Sequence, residues 1–266
     1  MHQWLALSCW TKCVIGRKVV QQIVLVLEYD GTRYHGFQWQ SNARTIQYEV
    51  ESALSIINER RVRIQGASRT DAGVHAKGQV VSFTSEKRLE SEIWVKAINA
   101  NLPSDISVRL AHKVTSELDV RRDAVERCYS YTILNRPARS PLRSRFSHLI
   151  PHPLDVSSMN LACQSIVGDH DFAPFSPLTN RNTVRTVYAA RFMPWQDLLV
   201  FRIRANAYLL HQVRNIVGGL VKVGLGKMSI VEFEELAGSG CAGVVGPAVP
   251  AKGLCLVNIK YTNIRL

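Results

Sequence analysis

Gly66-Ala67-Ser68-Arg69-Thr70-Asp71-Ala72-Gly73-Val74-His75-Ala76 is the stretch on which the reading of this chain turns. On its N-terminal side, residues 61–67 alternate Val62 and Ile64 with polar neighbours. On its C-terminal side, residues 78–84 carry Val80, Val81 and Phe83. Both flanks have the pattern of strands, so the stretch between them is expected to be a loop holding Arg69, Asp71 and His75 around Gly73. Loops held on a rigid sheet often carry chemistry. Spacing alone favours an Asx-type turn, in which Asp71 bonds its own backbone.

Outward from the loop, residues 23–29 form an apolar strand, closed by the turn signal Asp30-Gly31. A helix from Thr45 puts Ile46, Val50, Leu54 and Ile57 on one stripe, and Ile93, Ala97 and Ile98 indicate a second helix. A strand running to Ala111 completes a β-α-β-β-α-β order, the ferredoxin-like plan. A domain boundary is expected around residues 115–119, giving an N-terminal extension (1–22), an α+β domain (23–117) carrying the loop, and a second α+β domain (118–266).

The second domain repeats the plan with one extra element. Its first strand, Arg127-Cys128-Tyr129-Ser130-Tyr131-Thr132-Ile133, places Tyr129, Tyr131 and Ile133 on one face at period two. Both tyrosines are either core packing or an aromatic floor for a base. A helix from about Val156 is capped by Asp155 and ended by Gly168, and Gly168-Asp169-His170-Asp171-Phe172 reads as a helix-end turn rather than a metal site. Strands over 184–192 and 198–205, a helix from Leu210, a segment at 232–236 and a last strand over 254–261 follow. In the Leu210 helix, Leu210, Val213, Val217, Leu220 and Val221 make one apolar stripe, and Arg214 falls inside it. A cation aimed there either pairs with a strong acceptor or extends its stem to reach solvent.

Composition narrows the class. The chain has 266 residues, 46% hydrophobic, enough for one large or two ordinary domains. A formal charge of +12 favours a polyanion as partner, with an acidic membrane surface as the rival. No run is long enough to span a bilayer. Six cysteines are scattered without C-x-x-C spacing, which indicates neither zinc nor a disulfide framework and fits a reducing cytoplasm. His148 and His152 are four apart, but Pro151 breaks any helix that would align them. Gly218-Gly219 and Gly224-x-Gly226 lie late in or after a helix, so they make poor dinucleotide fingerprints. No metal or cofactor is expected. Between Arg121 and Arg145 seven arginines face two acids, which makes Arg121, Arg122, Arg139, Arg143 and Arg145 candidate phosphate contacts or an ordinary solvated face. Residues 1–22 are apolar first and basic afterwards, the reverse of a signal peptide, and are either a genuine extension or the product of an upstream start codon.

The loop resembles the catalytic loop of the TruA-type tRNA pseudouridine synthases, which runs Gly-Arg-Thr-Asp-x-Gly-Val-His-Ala, except that Ser68 stands where that family usually has glycine. The resemblance continues through Tyr29-Asp30-Gly31-Thr32-Arg33-Tyr34-His35-Gly36-Phe37-Gln38-Trp39-Gln40, Arg44-Thr45-Ile46-Gln47, Leu209-Leu210-His211-Gln212-Val213-Arg214-Asn215 and Pro250-Ala251-Lys252-Gly253-Leu254. Phe37 replaces a usual tryptophan, and Tyr48 sits where glycine is common. What the resemblance implies is the pseudouridine synthase fold, two ferredoxin-like halves with an antiparallel sheet and helices on one side. It also implies isomerisation of uridine to pseudouridine in the anticodon arm of tRNA, at positions 38 to 40, by a cytoplasmic homodimer without cofactor. Asp71 would then be the nucleophile, Arg214 its partner, Tyr129 the ring beneath the uracil, and Arg69 the side chain that fills the gap left by the flipped base. Two rivals stay open at this point. One is a non-catalytic RNA-binding protein of paired ferredoxin-like units, and the other a carboxylate-dependent hydrolase that would release free uracil.

Overall fold

The computed structural model describes residues 20–114, 118–177, 182–262 and 264. The expected N-terminal extension lies almost wholly outside these residues. Its last three positions do not: Val20 is exposed, Gln21 and Gln22 already belong to the first strand, and Gln22 is tied by its amide to both the N–H and the carbonyl of Leu118.

In chain order the first half contains β1 (Gln21–Tyr29), α1 (Ile46–Asn58), β2 (Gln65–Gly66), β3 (His75–Ser85), α2 (Ser91–Asn99) and β4 (Ile106–Val114). The second contains β5 (Ala124–Asn135), β6 (His148–Ile150), α3 (Val156–Ala162), β7 (Gly168–Asp171), β8 (Val184–Trp195), β9 (Leu198–Ala205), α4 (Gln212–Gly224), α5 (Ile230–Gly238) and β10 (Leu254–Tyr261). The expected β-α-β-β-α-β order is present in the first half and, with β6, β7 and α5 added, in the second. Among the described residues the strands form one mostly antiparallel sheet in the order β4-β1-β3-β10-β5-β9-β8-β7. β1 is buried on both faces from Ile23 to Leu27, which is why it reads as a continuous apolar run rather than an alternating one.

The join between the halves matters most for the site. β3 meets β10 in parallel over only two pairs, His75 with Cys255 and Leu256 with Ala76. β10 in turn pairs antiparallel with β5 along most of its length. The loop that ends at His75 is thereby set one strand away from Tyr129. Helices pack among themselves within each half, α1 with α2 and α3 with α4 and α5.

Several local expectations are corrected. The strand expected over 61–67 pairs only at Gln65 and Gly66. Val62 and Ile64 are buried, but their N–H groups donate to Ser55 Oγ (3.1 Å) and Glu51 Oε1 (3.1 Å) of α1, so the chain follows the helix instead of extending the ladder. In α2 the buried pair is Trp94 and Ile98, while Ile93 is exposed; the larger ring takes the core position, edge-on to Phe83 at 5.3 Å. The helical run ends at Ile166, and Gly168, expected to end it, instead opens the residues that form an edge strand against β8. Their acids serve local bonds there, Asp169 accepting from Thr186 and Asp171 from the Ala173 N–H. Finally, α4 begins at Gln212, and Leu210 lies outside it with its side chain exposed.

Candidate active site

The 67–74 loop is held from below. Gln79 of β3, fully buried, brackets Ser68, accepting from its N–H at 3.3 Å and donating to its carbonyl at 2.6 Å. The Thr70 hydroxyl meets the Tyr29 phenol at 2.8 Å, and the Thr70 carbonyl accepts from Phe37 N at 3.0 Å. Gly36 allows that approach, because a Cβ there would stand 2.8 Å from the Thr70 oxygen. The turn closes by Val74 N–H on the Asp71 carbonyl (3.1 Å), with Gly73 at φ +77 in the left-handed region. Ser68 is not among the residues with positive φ, so a serine in place of glycine is unstrained. His75 is the first residue of β3, not part of the loop.

This scaffold leaves the Asp71 side chain out of the backbone bonding. Among the described residues its carboxylate accepts from no N–H of its own turn, so the Asx-turn alternative does not describe it. Its neighbours come from α4 and the residue before it: Arg214 Nη1 at 3.5 Å and His211 Nε2 at 3.6 Å from Oδ2. Arg214 is fixed by Nε donating to the Val249 carbonyl at 2.8 Å, so one guanidinium edge is spent on backbone and the other faces the carboxylate. The arginine inside the apolar stripe thus has an acceptor, and it does not run out to solvent. His211 caps α4 in a left-handed conformation (φ 58, ψ 2), which sets Asp71 near the positive end of that helix.

Tyr129 and Tyr131 part company. Tyr131 is core, its phenol donating to the Pro250 carbonyl at 2.8 Å. Tyr129 instead lines a cleft of about 440 Å³ together with Asp71, Arg214, Arg69 and Arg121. Its ring stands edge-on to Tyr208 (5.2 Å) and its phenol lies 3.1 Å from Ser68 Oγ. Burial pushes the Tyr129 phenol up to about 12; the Ser68 bond opposes this and the Asp71 charge adds to it. A second hollow of about 510 Å³, bordered by Asp30, His75 and Asp105, does not include Asp71.

The basic candidates are not equivalent. Arg69 is exposed and makes no hydrogen bond or ion pair among the described residues. Arg121 lines the cleft, whereas Arg122, Arg139, Arg143 and Arg145 do not. Arg143 is paired with Asp197 and Arg145 with Asp30, while Arg122 is largely exposed at 3.7 Å from Asp119. Arg139 is exposed.

Arg127, His211, Arg185 and Tyr208 also line the cleft, although reading of the sequence assigned none of them a role. His211 stands in the motif over 209–215, but nothing in its spacing sets it apart from its neighbours. Arg127 had a signal: it shares the face of Tyr129 at period two. Its buried guanidinium donates to four carbonyls, of Ala67 (3.3 Å), Arg121 (2.6 Å), Ala124 (2.9 Å) and Asn206 (2.6 Å), tying the loop to three other segments. Burial lowers its pKa. Among the described residues no group of three His, Cys, Asp or Glu could hold a metal ion, and Cys128, Cys163, Cys241 and Cys255 are unpaired.

Among the described residues Asp71 is the only carboxylate lining a cleft that also presents Arg69, Arg121, Arg127 and Arg214. Such a carboxylate among arginines, on a mixed α+β scaffold with one large, mostly antiparallel sheet, is a setting in which a polyanion could meet a carboxylate. Known proteins make this specific. The profile of the tRNA pseudouridine synthase family matches residues 25–121 and 162–262. The chain is 38% identical to tRNA pseudouridine synthase A of Geobacter sp. (strain M21), over 91% of this chain and 99% of that one. It is 39% identical to the protein of that name from Methylacidiphilum infernorum, over 89% and 94%, and 40% identical to that of Roseiflexus castenholzii, over 91% of each. The chain belongs to the tRNA pseudouridine synthase family, and it is an isomerase.

Proposed function

We propose that the chain converts uridine to pseudouridine in the anticodon arm of tRNA, at positions 38 to 40, with Asp71 as nucleophile. The observation that carries this is the Asp71 carboxylate itself, withheld from its own turn and set between Arg214 and His211 in the basic cleft. In the reaction the C1′–N1 bond breaks, uracil turns in place, C5 bonds to C1′, the C5 proton leaves to solvent or a base, and N1 takes up a proton in its place. A carboxylate that bonds transiently, at C1′ or at C6, and then departs serves this sequence. Arg214 holds that carboxylate in place. Tyr129 offers its ring to the extruded base, and Arg69, free of protein partners among the described residues, fills the gap in the stack. Arg121, which lines the cleft, would meet a phosphate there, and Arg122, Arg139, Arg143 and Arg145, which do not line it, would meet others. A cytoplasmic homodimer, implied by the resemblance of the motifs, belongs to the same reading.

Asp71→Asn tests the reading. The amide keeps the shape of a loop that does not depend on this side chain, so tRNA affinity should stay within about tenfold, or 1.4 kcal/mol, of wild type. Pseudouridine, mapped by carbodiimide on an unmodified transcript, should fall below detection. Clear turnover by protein free of host enzyme and of deamidation would remove Asp71 as nucleophile. Free uracil in the wild-type reaction would favour the hydrolase, and binding with unchanged uridines the non-catalytic protein.

A further inference from the structure

We propose that Ser68 is a positioning residue: its hydroxyl holds the Tyr129 phenol and, through it, the tilt of the ring on which the target base rests. This depends on the role given to Tyr129 above.

A phenol buried as deeply as that of Tyr129, 5% exposed, needs a hydrogen-bond partner, and among the described residues Ser68 Oγ at 3.1 Å is the one it has. Ser68 is itself immobilised. Gln79 grips both its N–H and its carbonyl, so the hydroxyl is presented from a backbone that has little freedom to follow the ring. Tyr208 bears on the ring at 87° between planes. One side of the ring is therefore set by Tyr208 and its tip by Ser68, and two constraints fix a plane where one leaves it free to rock. Asp71, three residues along the same loop, puts negative charge into the cleft that Tyr129 lines. That charge favours the arrangement in which Ser68 donates to the phenol oxygen and the phenol turns its own proton toward the cleft. A glycine at position 68 cannot make this bond.

The test compares Ser68→Ala, Ser68→Thr, Tyr129→Phe, Tyr129→Leu and the double variant Ser68→Ala/Tyr129→Phe on an unmodified tRNA transcript. Ser68→Ala should lower kcat about fivefold, one hydrogen bond of about 1 kcal/mol converted at 1.4 kcal/mol per decade, with KM within about twofold. Ser68→Thr, which keeps the hydroxyl, should recover most of kcat. In the Tyr129→Phe background, where there is no phenol to hold, Ser68→Ala should have no further effect. Wild-type kcat in Ser68→Ala, or the same fivefold loss in both backgrounds, overturns the proposal, the second outcome showing that Ser68 acts through the loop alone. Tyr129→Leu separates the two layers. Wild-type turnover there removes Tyr129 from the site altogether, whereas a slow Tyr129→Leu beside an unaffected Ser68→Ala refutes only the role of Ser68.

Discussion

Replacing Arg214 probes the pairing on which the site is built. Its guanidinium makes two connections, Nε to the Val249 carbonyl at 2.8 Å and Nη1 to Asp71 at 3.5 Å. Unit charges 3.5 Å apart attract by about 5 kcal/mol at an effective dielectric of 20 and about 1 kcal/mol in water. Both side chains are partly exposed, 17% for Arg214 and 25% for Asp71, so the interaction falls between these limits, at about 1–3 kcal/mol. Losing the Val249 bond adds about 1 kcal/mol. Arg214→Ala should therefore destabilise the fold by about 2–4 kcal/mol in urea unfolding. It should also cost at least about a hundredfold in kcat, because a carboxylate displaced by about 1 Å loses that much. Arg214→Lys keeps the charge but, with a single ammonium, cannot serve both acceptors. About 1 kcal/mol of stability and about tenfold of kcat should go. His211 remains beside Asp71 in both variants and does not replace the Val249 tie. An Arg214→Ala protein with normal unfolding midpoint and normal turnover would refute the pairing and the placement argument together.

Other consequences follow from the same geometry. Arg121→Ala should flatten the log–log salt dependence of tRNA binding by about one unit, while Arg143→Ala and Arg145→Ala should change it by less than half of that, since Asp197 and Asp30 already hold those cations; equal slopes for all three would show that the ion pairs open freely. His75 is buried with Nδ1 3.1 Å from the Gly31 N–H and Nε2 at 3.0 Å from the Arg145 carbonyl, an arrangement suited to the neutral ring with its proton on Nε2. Burial lowers its pKa although Asp30 at 3.2 Å pulls the other way, so the unfolded chain takes up the proton first. The stabilisation should be complete above the unfolded value of about 6.5 and fall as pH drops toward the lower folded value. His75→Gln should flatten that part of the urea-stability profile, leaving the share due to His148, whose pKa burial also lowers; an unchanged slope would count against a neutral His75. Arg127→Leu should cost about 2–4 kcal/mol, because four carbonyls lose a charged donor, and a variant as stable as wild type would mean that burying the charge costs as much as its bonds return.

The local order of this chain was written in its sequence. Alternation, apolar stripes and turn signals placed β1, α1, β5, β8, β9 and β10 because each of those segments buries one face or both over enough residues for a period to register. The motif around Asp71 pointed to the carboxylate, and the break in the stripe of α4 pointed to Arg214, since a charge among valines needs an acceptor. Tertiary structure decided what periodicity does not encode. Whether Val62 and Ile64 lay in a sheet depended on Glu51 and Ser55 claiming their N–H groups from a helix above. Whether Tyr129 or Tyr131 faced the cleft could not follow from a pattern that puts both on one face. It followed from Pro250 taking the Tyr131 phenol and Ser68 that of Tyr129. The approach of Asp71 to His211 and Arg214, so far along the chain, depends on a two-pair parallel seam between β3 and β10, a contact too short to leave any mark in the periodicity of either strand.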